Sequence, residues 1–154
     1  MFRHILCATD FSDTAEAAWA AACELGRTLN GELLLVHVFT EFPVYPEVAV
    51  IEVQRVWDEQ RAWVERALAE RVGAAARRGL TARSLIKTGV AAEGLVDAAA
   101  ESHADLIVIG THGRTGLTRL VVGSVAERVV RLAPCAVLTI KPAAAAAEHL
   151  RAAA

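Results

Sequence analysis

The stretch His4-Ile5-Leu6-Cys7-Ala8-Thr9-Asp10-Phe11-Ser12-Asp13-Thr14 decides how the chain is read. An apolar run over 4–9 gives way to Asp and Ser side chains that accept hydrogen bonds from free helical N–H groups, which predicts a strand, a turn and a helix. The predicted helix over 14–29 is rich in Ala and Leu, carries Trp19 and Cys23 four residues apart, and stops at Asn30-Gly31. Glu32 to Phe39 follows, with a Leu-Leu-Leu-Val-His-Val string that is apolar on both faces and too short for a helix. Strands of that kind lie inside parallel sheets.

Working outward, the same alternation continues. Pro43 and Pro46 flank Tyr45, so 40–50 reads as an irregular loop. Val53, Val56, Trp57, Val64, Ala67, Leu68 and Val72 then repeat at three and four, predicting one long amphipathic helix that ends near Gly79. Further elements are expected as a strand over 82–87, a helix over 91–102, a strand over 105–109, a helix over 117–132 and a strand over 136–140. Each crossover must return the chain to the same end of the sheet, so the order implies a three-layer, doubly wound parallel sheet with helices on both faces. One α/β domain over 1–142 results, and the Ala-rich tail over 143–154 is expected to fray.

Composition narrows the function. In 154 residues, 16 Lys and Arg face 18 Asp and Glu, and hydrophobic residues make up 55%, which suits one domain with a real core. With pI near 6.2 there is no basic field for a phosphate backbone, so nucleic acid is not expected as a partner. Four Phe, three Trp and one Tyr are too few and too scattered along the chain to suggest a base-stacking platform. Cys7, Cys23 and Cys135 are odd in number and widely spaced, with no C-x-x-C pair, so neither a disulfide framework nor a zinc site is expected. No apolar run is long enough for a signal peptide or a membrane span, and no helix carries a basic face. A cytoplasmic protein without membrane contact is the expectation.

The densest chemical signal follows the fourth strand: Gly110-Thr-His-Gly113-Arg114-Thr-Gly116-Leu-Thr-Arg119-Leu-Val-Val-Gly123-Ser124-Val125. Glycines so spaced let a loop turn sharply and aim backbone N–H groups at an anion with no Cβ in the way. The loop runs into a helix, whose N-terminal amides and dipole share that charge preference. Arg114 and Arg119 are near enough to add charge-assisted contacts. There is no G-x-x-x-x-G-K-[ST] string, and no G-x-G-x-x-G follows the first strand. By spacing alone the loop also reads as an ordinary tight connection.

Over Arg3 to Pro142 the chain resembles the universal stress protein family. Gly110, Gly113, Gly123 and Ser124 match the G-x2-G-x9-G-[ST] pattern of its ATP-binding subgroup. The opening Ile5-Leu-Cys-Ala-Thr-Asp-Phe-Ser12, the Leu-Val-His-Val string ending at Val38, the closing Gly123-Ser-Val-Ala-Glu-Arg-Val-Val and Ala133-Pro-Cys135 agree with it. The resemblance implies strand order 3-2-1-4-5, an adenine-nucleotide alpha-hydrolase-like fold, ATP with Mg2+ at the carboxyl ends of strands one and four, and a homodimer formed through the last strand. Carried over residue by residue, Asp10 and Val38 hold the ribose and adenine end, and Ala8, Thr9 and Ile109 line the pocket. Gly110, Gly113, Arg114, Gly123, Ser124 and Val125 face the ribose and phosphates. Many relatives have Pro where this chain has Ala8 and Ala136, and neither change removes a donor to phosphate.

The strand order supplies a check, because ligands of open doubly wound sheets sit where the winding reverses, here between strands one and four. Asp10 and Gly110 end those two strands. Each site residue keeps a second reading: Asp10 as a turn or cap residue, Ser124 as an N-cap, His112 as a solvated loop side chain and His37 as a satisfied core histidine. No Asp or Glu lies between Gly110 and Val125, so slow or no hydrolysis is expected, and the resemblance implies an ATP-binding protein that acts as a nucleotide-dependent stress-response sensor or regulator. A nucleotide-free dimeric interaction module and a slow adenine-nucleotide hydrolase are the alternatives.

Overall fold

A computed structural model of the chain describes residues 2–40, 50–111 and 123–141. The elements run β1 (His4–Ala8), α1 (Asp13–Leu29), β2 (Glu32–Phe39), α2 (Val50–Arg77), β3 (Ala82–Thr88), α3 (Ala91–Glu101), β4 (Leu106–Gly110), α4 (Ser124–Leu132) and β5 (Ala136–Ile140). The five strands form one sheet in the order β3-β2-β1-β4-β5. Every pair is parallel, with Cys7 of β1 beside Leu35 of β2 and Val108 of β4. That is the expected topology, and it puts β1 at the centre.

Both faces of the sheet are covered. On one, Ile5, Cys7, Leu33, Leu35, Leu106 and Val108 pack with Trp19 of α1 and Val64 and Leu68 of α2. On the other, Leu6, Ala8, Leu34, Val36, Ile107 and Ile109 pack with Leu95 of α3 and Val129 of α4. Alternate residues of β1, β2 and β4 thus serve opposite layers, which explains why these strands read as unbroken apolar runs. Burying Cys7 completely pushes its thiol pKa well above the ordinary range, with smaller contributions from Cys23 and Glu16.

Helix boundaries follow local chemistry. Ser12 is extended and its hydroxyl accepts from the Ala15 amide, so it caps α1. At the other end Asn30 adopts the left-handed conformation, and its N–H and that of Gly31 both reach the Gly26 carbonyl. Asp105 was expected to open the fourth strand. Instead its carboxylate accepts from the Arg3 and His4 amides, tying the start of β1 to the connection before β4.

Two further expectations are corrected. Gly123 has an extended backbone and is the N-cap of α4, so no continuous helix runs over 117–132. α2 begins at Val50, and Val56, counted in its apolar repeat, is exposed. The loop over 41–49, the stretch 112–122 with His112, and the tail beyond Lys141 lie outside the described residues.

Candidate functional site

Three chain segments meet where the winding reverses: the turn after β1, the end of β2, and the junction of β4 with α4. Between them lies a cavity of about 730 Å³. Size and position are those of a small-molecule site in an open α/β sheet.

The turn after β1 is built by its own side chains. The Thr9 amide donates to the Val36 carbonyl, prolonging the β1–β2 ladder by one bond, and the Thr9 hydroxyl accepts from the Phe11 amide. Asp10 Oδ1 accepts from both the amide and the hydroxyl of Ser12, at 3.0 and 2.6 Å. Asp10 is therefore a turn former, as its second reading held, and it also lines the cavity. Phe11 pays for this geometry with φ of 64°, a left-handed conformation that bulky residues rarely adopt.

At the β4–α4 junction, the Thr111 amide donates to the Ile140 carbonyl and the Gly123 amide to the Thr111 carbonyl. Both are spent on holding the junction, so neither is a free anion donor. The first helical bond of α4 runs from the Glu127 amide to the Gly123 carbonyl. The amides of Ser124, Val125 and Ala126 precede it and have no acceptor within the helix. The N-cap, Gly123, has no side chain to cap that helix end, and Ser124, Val125 and Ala126 all line the cavity. Among the described lining residues there is no Lys or Arg, and the α4 N-terminus contributes positive potential there.

Gly110 also has a packing reason. A Cβ built on it would lie 2.7 Å from Thr14 Cγ2 and 3.2 Å from the Thr14 carbonyl carbon. The glycine lets β4 press against the first turn of α1.

Of the residues singled out in the sequence, Ala8, Thr9, Asp10, Val38, Ile109, Gly110, Gly123, Ser124 and Val125 all line this one cavity. Gly113 and Arg114 lie outside the described residues. The sequence reading missed the wall on the α2 side, where Phe11, His37, Phe39, Trp57 and Trp63 line the cavity with Gln60. Ring centres are 4.9 Å apart for Phe11–Trp63, 5.0 Å for Phe11–His37, 5.1 Å for His37–Phe39 and 6.1 Å for Phe39–Trp57. Rings that are scattered in sequence thus form one ribbon in space, which corrects the expectation drawn from their spacing. The available signal was the spacing of His37 and Phe39, two apart and so on one face of a strand. His37 is half-buried and its Nδ1–H donates to the Thr9 carbonyl at 2.8 Å. It is satisfied, as expected, but stands in the cavity wall.

An open doubly wound sheet with a crevice at its switch point defines a class of fold that takes its ligands in that crevice. The model of the universal stress protein family matches residues 1–141, and the chain belongs to that family. A universal stress protein of Thermus aquaticus is 35% identical over 142 residues, covering 92% of this chain and all of the relative. The solved structure of universal stress protein UspA from Lactobacillus plantarum has a TM-score of 0.82 at 26% identity, covering 90% of this chain and 97% of that one. A universal stress protein from Archaeoglobus fulgidus, solved in complex with dAMP, has a TM-score of 0.61 at 24% identity, over 92% of this chain and 98% of that one. The fold is the UspA-like, adenine-nucleotide alpha-hydrolase-like fold.

Proposed function

We propose that the protein binds ATP in the cavity between β1, β2, β4 and α4, and that occupancy acts as a signal in the stress response. The observation that carries this reading is the convergence on one cavity of Asp10 with Ser124, Val125 and Ala126, whose amides have no acceptor within α4, although they are more than a hundred residues apart. An anion suits the α4 N-terminus, and a carboxylate suits ribose hydroxyls. Val38 and Ile109 supply apolar walls for the adenine, with Ala8 and Thr9 between them. Gly113 and Arg114 complete the phosphate loop, and Gly110 and Gly123 shape it. The dAMP bound by the Archaeoglobus fulgidus protein is a ligand of the same chemical class.

Asp10 is the one carboxylate among the described lining residues, and one of its oxygens already accepts two hydrogen bonds from Ser12. No further carboxylate there serves as a base for water, so hydrolysis is slow or absent. Among the described residues no cluster of His, Cys, Asp and Glu would hold a metal by itself, so Mg2+ arrives on the phosphates. Occupancy then shifts the population of conformations or the choice of partner. The working unit is a cytoplasmic homodimer joined through β5.

Protein purified under native conditions and then extracted with acid releases adenine nucleotide. Asp10→Asn keeps an acceptor for the Ser12 amide but loses the charge, and its ATP Kd rises about tenfold. A protein that yields no nucleotide and binds no Mg-ATP by calorimetry refutes the proposal and favours the nucleotide-free interaction module.

A further inference from the structure

The cavity does not stay on one side of the sheet. Side chains of β2 alternate, so Val36 and Val38 belong to the α3–α4 face, whereas Phe39 belongs to the α1–α2 face. Residues from both sets line the same cavity, which therefore straddles the strand ends. The adenine nucleotide proposed above fills the half walled by Val38, Ile109 and α4. The other half, walled by the ring ribbon, has no occupant in that reading.

We infer that this second half binds a second heteroaromatic base, and that the ligand class is a dinucleotide: an adenine nucleotide joined through its phosphates to another nucleoside. This inference rests on the ATP reading and extends it. The wall has the composition that recognises a base. Phe39, Trp57 and Trp63 offer ring faces and edges, and stacking on such rings is worth about 1–3 kcal/mol per base. Gln60 adds an amide that both donates and accepts, as a base edge requires.

Two features indicate a built site. Trp63 remains 52% exposed although its ring packs edge-on to Phe11, so a large apolar surface is left at the mouth. Phe11 is held in the left-handed region by its own turn, with its ring against both His37 and Trp63, and backbone strain of this kind concentrates at ligand clamps. The geometry accommodates a folded ligand with one base on each side of the β2 end and its phosphates at the α4 N-terminus. From β2 to β4 is two strand spacings, about 10 Å, a distance that a phosphate bridge covers.

Calorimetric titration of the full chain with ATP and with diadenosine tetraphosphate tests this. The dinucleotide binds at least about fivefold tighter than ATP. Trp57→Ala combined with Trp63→Ala brings that ratio to about one while the ATP Kd stays within about twofold. Gln60→Ala, at an exposed helix position, lowers the ratio without burdening the fold and keeps the test open if the double variant does not fold. ATP binding with no preference for the dinucleotide overturns the inference and leaves the ATP reading standing. A preference that survives both sets of substitutions also overturns it. Binding of neither ligand overturns both.

Discussion

The guanidinium carbon of Arg71, on α2, stands 5.0 Å from the centre of the Phe11 ring in the turn after β1. The same side chain donates from Nε to Glu16 on α1 at 2.8 Å and from Nη1 to the Ala67 carbonyl at 2.8 Å. One arginine therefore joins two helices and covers the outer face of the ring that lies on the cavity wall. Arg71→Ala is expected to lower stability by about 1–2 kcal/mol in urea unfolding, as both a cation–π contact and a partly buried ion pair are lost. Arg71→Lys restores less than half of that, because an ammonium cannot fork between Glu16 and the carbonyl while stacking on the ring.

Gly110 of β4 lies close against Thr14 of α1. Gly110→Ala places a methyl group within 2.7 Å of Thr14 Cγ2 and should cost about 1–3 kcal/mol, the usual range for overpacking. Adding Thr14→Ser removes Cγ2 and recovers part of the loss, while the contact with the Thr14 backbone remains. A double-mutant cycle in urea reads the coupling directly. Additive losses would show that the two residues do not collide.

Cys7 makes stability depend on alkaline pH. Burial holds the folded thiol protonated well above its ordinary 9.0, so above that pH the unfolded chain releases a proton that the folded chain keeps. Stability therefore falls as pH rises, by about 1.4 kcal/mol per unit from this group. Cys23 and Cys135, whose thiols burial also raises, add smaller contributions of the same sign. Unfolding midpoints between pH 8 and 10 should fall less steeply for Cys7→Ala than for the parent. Equal slopes would show that Cys7 ionises as easily folded as unfolded.

Leu138 on the edge strand β5 is exposed, as are Val130 and Leu132 on the neighbouring α4. An edge strand with apolar side chains pairs readily with its own copy. Leu138→Arg should convert the proposed dimer to a monomer in sedimentation at micromolar concentration and leave the monomer's stability within about 1 kcal/mol. A parent protein that sediments as a monomer removes β5 as the interface.

Much of the fold was legible because its signals are local. Continuous apolar runs marked β1, β2 and β4, the residues around Ser12 and Asn30 marked the ends of α1, and the alternation of strands with helices set the parallel winding. The glycine pattern was legible as a motif, but the reasons for its glycines were not. That Gly110 serves contact with Thr14, and that Gly123 is the N-cap of α4, depends on what packs nearby.

What the chain by itself determined is the order of its elements and their burial on one or both faces, since period and cap chemistry act between near neighbours. Only the tertiary structure decided that Phe11, His37, Phe39, Trp57 and Trp63 share one wall and that Ser124, Val125 and Ala126 line the same hollow as Asp10. Those meetings depend on the register of parallel strands and the lie of α2 across the sheet, which bring together residues that no local interaction links.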